Sequence, residues 1–226
     1  MSAPVALVVG AGGVLGAALC AEFHEAGYHV TGLRRSAAGS DGVAEVVRCD
    51  LTNPLTTWRV INELVQKRGQ IDVAICNAAQ LDVAPFMELA LEQFMAAWSA
   101  SVGTAFACAR AVLPAMQARG RGALLMSGAT ASLRGSPRFS AFSSAKFALR
   151  GLTQSLAREY QPAGVHVAHV VIDGVLRGSA SEARFGKSAD LSLEPRQVAQ
   201  TYRMLAEQHP SAWTHELDLR PHGERF

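Results

Sequence analysis

Near the N-terminus, Gly10-Ala11-Gly12-Gly13-Val14-Leu15-Gly16 sets four glycines between an apolar run and a helical pattern. Glycine permits a tight turn and a close backbone approach to a ligand. The helix that starts inside the turn points its positive end at the same place. A strand, a glycine-rich turn and a helix in that order predict a seat for the pyrophosphate of a dinucleotide. The spacing is GxGxxxG, one residue longer than GxGxxG. The second apolar run ends in Arg34-Arg35-Ser36, and no acidic residue follows before Asp41. An acidic side chain there would bind a ribose 2′-hydroxyl, whereas a planar guanidinium matches a 2′-phosphate. Arg34, assisted by Arg35, therefore predicts NADP(H) as the favoured cofactor, with NAD(H) possible.

Metal chemistry finds no comparable support. His166 and His169 lie three apart in the strand-like run VHVAHVVI, so their rings fall on opposite faces. A metal site needs three or four converging ligands, and none is expected. Cys20, Cys49, Cys76 and Cys108 form no CxxC pair and are expected to be buried, reduced thiols of a cytoplasmic protein.

The elements that must position these residues alternate between short apolar runs and helical patterns. Predicted strands are PVALVVG at 4–10, HVTGL at 29–33, EVVRCDL at 45–51, IDVAICN at 71–77, GALLMSG at 122–128, VHVAHVVI at 165–172 and WTHELDL at 213–219. Helices are expected after Gly16, from Pro54 to about Gly69, over about 91–118, over 143–160 and from Pro195 to about Gln208. The connection RRSAAGSDG is too short for a full crossover helix, and a turn or helical fragment is expected there. The pattern predicts one domain over 1–226: a doubly wound, mainly parallel seven-stranded sheet with three α/β/α layers, the Rossmann fold. Of the 226 residues 49% are apolar and 18% charged, which excludes a disordered chain. A net charge of +2 is too small to argue for nucleic acid or an anionic membrane. No apolar run approaching ~20 residues is evident, and no signal peptide is expected.

In sequence and spacing these motifs resemble the short-chain dehydrogenase/reductase family. Gly10 and Gly16 match its TGxxxGxG turn, with Val9 at the usual Thr and Val14 at the middle Gly. Asp50-Leu51 is similar to the acidic pair that receives the adenine amino group, and Asn77-Ala78-Ala79 to the NNAG element. The blocks 109–116, 133–137, 143–146 and 149–153 resemble the family's fourth helix and the segment around its active site. The resemblance implies a Tyr and a Lys four apart on one helix face, a Ser thirteen residues before the Tyr, and an Asn on the preceding long helix. Lys146 matches the Lys. Phe142 occupies the Tyr position, Ala129 the Ser position and Ser101 the Asn position, while Asp173-Gly174 replaces a Pro-Gly pair.

A benzyl ring exchanges no proton and a methyl group binds no oxyanion. Two readings stay open: an oxidoreductase acting on a carbonyl or alcohol through other groups, among Ser127, Thr130, Ser140, Ser143 and Asp173, or a non-catalytic NADP(H)-binding sensor or scaffold. The block Gly128-Ala129-Thr130-Ala131-Ser132, with Phe142 and Ala212-Trp213-Thr214, resembles an atypical subgroup of the family with Phe in place of the catalytic Tyr. The resemblance also implies a small-molecule substrate held by the segments 80–90 and 174–189. It further implies a homodimer or homotetramer built on the helices at 91–118 and 143–160, with Trp98 on the shared face.

Overall fold

The computed structural model describes residues 3–36, 39–40, 42–186 and 191–223. Its sheet is built on β1 (Val5–Val9), β2 (His29–Arg34), β4 (Glu45–Arg48), β5 (Val73–Cys76), β6 (Gly122–Ser127), β7 (Val165–Ile172) and β10 (Glu216–Leu219). These seven run parallel. A two-residue antiparallel strand, β3 (Gly39–Ser40), hooks onto β4 at one edge, giving the order β10-β7-β6-β5-β1-β2-β4-β3, while β8 (Val175–Leu176) and β9 (Ser192–Leu193) pair separately. The short connection from β2 thus returns through this hook rather than through a helical fragment; residues 37, 38 and 41 lie outside the described ones.

Every residue of β1 and of β7 is buried, as expected where helices cover both faces of a parallel sheet. Alternation along each strand divides the core in two. Leu7, Val9, Leu124 and Val167 face one side and pack under α2 (Pro54–Arg68), α4 (Thr104–Arg119) and α5 (Ser140–Tyr160). Ala6, Val8, Leu125 and Val170 face the other, against α1 (Gly13–Glu25) and α7 (Pro195–Ala206). Phe23 and Tyr202 are the bulkiest fully buried side chains on that second side.

Local chemistry sets the helix ends. The Asn53 side chain accepts the Thr56 N–H at 3.0 Å, Pro54 takes the first turn, and Gly69 closes α2 at φ 73°. The long stretch expected at 91–118 is three pieces in line: α3 (Leu91–Trp98), a π turn over Ser99–Gly103, and α4. Gly103 carries no Cβ there because one would meet Pro54 Cγ at 2.6 Å. By length and composition Leu91–Arg119 could cross a membrane, contrary to the sequence expectation, but 61% of its most apolar window is buried inside the fold. It serves as a core helix here. All four cysteines are buried, and none is in a disulfide.

Between β5 and β1 the strand order reverses direction. The carboxyl ends of β1, β5, β6 and β7 therefore diverge and leave a crevice, the topological switch point where open α/β sheets bind ligands.

Candidate functional site

A cleft of about 580 Å³ opens at that switch point. Its inner end is the turn after β1, where Gly12, Gly13, Val14 and Leu15 line the wall. Gly10 and Gly16 do different work, because neither lines the cleft. A Cβ on Gly10 would meet Ala78 N at 2.6 Å, and one on Gly16 would meet Gly10 O at 2.4 Å. These two glycines let the turn fold onto β5 and onto itself, while Gly12 and Gly13 leave the start of α1 open. No side chain caps α1 and no acidic residue occupies its first turn. Its first N–H groups are therefore available to an anion. The Asn77 side chain donates to Gly10 O at 3.0 Å and holds the turn against β5. Val14 leans across toward Gly178, where an added Cβ would sit 3.5 Å from Val14 Cγ1.

Arg34 leaves β2 beside this turn: a Cβ on Gly12 would stand 3.9 Å from Arg34 Cβ. Its Nε is buried and has no hydrogen-bond partner. Arg35 is exposed nearby and close enough to act on the Asp50 carboxylate. Asp50 accepts from the Thr52 hydroxyl at 2.7 Å and the Thr52 N–H at 3.0 Å, which hold its carboxyl below the usual range. Leu51 is buried, and its carbonyl accepts the Thr104 hydroxyl at 2.5 Å.

At the other end of the cleft Lys146 rises from α5, 3% exposed. Its Nζ donates to Ser127 O at 2.7 Å, and burial pushes its pKa down to about 8. One helical turn earlier, the Phe142 ring lies 5.7 Å from that Nζ. Ser127, Ala129, Thr130, Ser143, Asp173 and Gly174 complete the wall, with Asn77 and Ala79 between the two ends.

Several expected hydroxyls are already committed. Ser127 Oγ and Tyr202 OH are 2.6 Å apart, and burial raises the Tyr202 pKa. Thr130 donates to Asp173 at 2.5 Å, and Arg220 pairs with the same carboxylate at 3.2 Å. Asp173 thus anchors the cleft floor through both carboxylate oxygens, with Gly174 beside it on the wall. Ser143 Oγ is buried without a partner. Ser140 and Ser101 do not line the cleft. Ser101 is 2% exposed within the π turn, and its Oγ is buried without a partner.

Trp98, expected on a face shared between subunits, is half-buried and makes a bond within the chain. Its Nε1 donates to Ser144 Oγ at 3.0 Å, so it fastens α3 to α5 within the same chain. The exposed aromatics on these helices are Phe106 and Phe147.

Partners from far along the chain complete the surroundings. Glu216 on β10 accepts two bonds of 2.6 Å from Arg150 and lies 3.1 Å from His169 Nδ1. Burial lowers the His169 pKa to about 4, so the ring is neutral near pH 7. Tyr202, Arg220 and Glu216 sit 75, 47 and 47 residues from Ser127, Asp173 and His169 in sequence. No local pattern announces such contacts. Among the described residues no group of three or more His, Cys, Asp or Glu converges as a metal site.

Known proteins share this architecture. A solved short-chain dehydrogenase from Rhodopseudomonas palustris superposes with a TM-score of 0.80 at 30% identity, covering 97% of this chain and 99% of that one. A metagenomic short-chain oxidoreductase solved with NADP superposes with a TM-score of 0.83 at 24% identity, with 98% of each chain covered. An uncharacterised oxidoreductase of Schizosaccharomyces pombe is 31% identical over 191 residues, 83% of this chain and 72% of the relative. The family model described as short chain dehydrogenase matches residues 4–184. With that match running from β1 through the glycine turn and Lys146 to α6 (Ala180–Phe185), the chain belongs to the short chain dehydrogenase family.

Proposed function

We propose that this protein is an NADP(H)-dependent oxidoreductase acting on the carbonyl or alcohol group of a small molecule, with an altered catalytic tetrad. The observation that carries the reading is a single cleft joining the uncapped start of α1 to the buried Lys146. The open N–H groups over Gly12–Leu15 suit a pyrophosphate, and the orphaned Arg34 Nε at their side suits a 2′-phosphate. Exposed Asp50, with Leu51 behind it, would meet the adenine. Asn77, Ala78 and Ala79 would line the middle of the cofactor, and Lys146, Asp173 and Gly174 its far end. Bound NADP(H) would deliver or accept a hydride, leaving one proton to be moved by another group.

Lys146 spends one N–H on Ser127 O and keeps two for the sugar hydroxyls of the cofactor. Phe142 and Ala129 stand where a phenol and a serine hydroxyl would hold the substrate oxygen, and Ser101 stands in the Asn position. General acid–base catalysis supplies typically about 10²–10⁴-fold, so conventional ketone reduction should be slow. The oxidoreductase names of the relatives support the redox class. A second reading, a non-catalytic NADP(H) sensor or scaffold, is favoured by one observation. The cleft-wall hydroxyls of Ser127 and Thr130 are engaged, and that of Ser143 is buried.

The test is a fluorescence titration of the native protein with NADPH and NADH. Native protein should prefer NADPH, less so as salt rises, and Arg34→Asp should abolish or reverse the preference. Equal affinity for the two cofactors would remove the argument from Arg34. A subsequent screen of ketones and alcohols for absorbance change separates enzyme from sensor.

A further inference from the structure

The outer part of the cleft has a chemistry of its own. Phe139, Phe142 and Phe185 line it together with Leu81. Phe139 precedes α5 and Phe185 ends α6, yet their ring centroids are 6.0 Å apart at a tilt of 35°. Two unrelated segments thus bring aromatic faces together at the mouth. Phe185 remains 40% exposed, an apolar surface that gains by being covered.

The charges around this slot are unbalanced. Asp173 is the one acidic side chain on the described cleft wall; Arg220 offsets its charge and Thr130 donates a hydrogen bond to it. Lys146 lies beneath. Arg134 lines the same mouth, and its guanidinium has no partner among the described residues. Arg184 adds a second cation, 6.0 Å from the Phe185 ring. An apolar aromatic slot edged by an unpaired guanidinium complements a flat group carrying an anion. A carboxylate meets that fork in bidentate fashion, whereas a neutral carbonyl compound leaves it unused.

We infer that the cleft takes a small carboxylate bearing an aryl or similarly flat apolar group, a 2-oxo acid or 2-hydroxy acid for the proposed chemistry, and that Arg134 sets this preference. The choice of reacting group rests on the oxidoreductase reading. Anion binding does not, because it needs no turnover.

Phenylglyoxylate, its uncharged methyl ester and pyruvate serve as probes, titrated calorimetrically into the full chain alone and with NADP⁺, which has no hydride to give. Native protein should bind phenylglyoxylate about tenfold more tightly than the ester, the scale of one charge-assisted hydrogen bond at an exposed site. Arg134→Gln should bring acid and ester to parity without changing NADP⁺ affinity, and Arg134→Lys should keep part of the difference. Phe185→Ala should narrow the advantage of phenylglyoxylate over pyruvate. An ester bound as tightly as the acid, a preference that survives Arg134→Gln, or no binding of any probe would overturn the inference. Failure of NADP⁺ to bind while the acid preference persists would instead count against the cofactor reading alone.

Discussion

Replacing Lys146 by methionine should stabilise the cofactor-free protein while weakening its hold on NADPH. Lys146 is 3% exposed, and burial takes its pKa from 10.5 to about 8. Each pKa unit is about 1.4 kcal/mol, so holding the ammonium at pH 7 costs about 3 kcal/mol. Methionine removes that cost and also the 2.7 Å bond to Ser127 O, whose loss costs about 1–2 kcal/mol. The net gain is about 1–2 kcal/mol. For a chain of this length that raises Tm by about 2–8 °C.

The pH dependence has a fixed sign. The unfolded lysine keeps its proton up to about 10.5, the folded one only to about 8. The native deficit is therefore complete below pH 8 and disappears as pH rises past about 10.5. Thermal melts of the two proteins at pH 7 and pH 10 should show the gap closing at the higher value, since titrations common to both cancel. Adding NADPH at a hundred times its dissociation constant stabilises the native protein by about 2.7 kcal/mol. The variant, lacking the sugar contact, gains less, and the order of stabilities should reverse. A methionine variant that is less stable without cofactor, with a gap indifferent to pH, would refute the reasoning.

Three further outcomes are expected. Phe142→Tyr with Ala129→Ser should raise ketone reductase activity measured by NADPH absorbance, and Phe142→Tyr alone should help less. No gain from a double variant that binds NADPH normally would favour the sensor reading. Gly16→Ala should destabilise the fold far more than Gly13→Ala. A Cβ on Gly16 meets Gly10 O at 2.4 Å, while Gly13 has open space and only its φ of 69° to resist substitution; denaturant midpoints measure the difference. If α4 and α5 form the subunit contact implied by the family, the protein should sediment as a dimer or tetramer, and Phe106→Glu with Phe147→Glu should yield monomers. Native protein that is monomeric across micromolar concentrations would remove that proposal.

The fold was legible because its signals are local and repeat along the chain. Apolar runs, the Asn53-Pro54 start of α2 and the glycine turn each follow from a few adjacent residues. Lys146, Phe142 and Ala129 share the cleft because one helix and one strand end carry them. What escaped depends on pairs distant in sequence. The π turn that holds Ser101 ends at Gly103, which packs on Pro54, 49 residues away. Nothing local foretells that Trp98 is bonded to Ser144, 46 residues away. Nothing in the sequence near Asp173 foretells its pairing with Arg220.

That last pairing bears on the order in which the molecule is made. Synthesis delivers the glycine turn first, then Lys146, and β10 with Arg220 after both. The Asp173 N–H donates to Leu219 O at 2.7 Å, and the space beside Gly174 is filled by Pro221, whose Cδ would stand 3.0 Å from an added Cβ. A nascent chain ending before Glu216 leaves β7 as a bare sheet edge, and Asp173 lacks the guanidinium that neutralises it. The cleft floor therefore closes only after β10 and Arg220 have emerged and docked on β7, so capture of a dinucleotide on that floor would report that the docking is done.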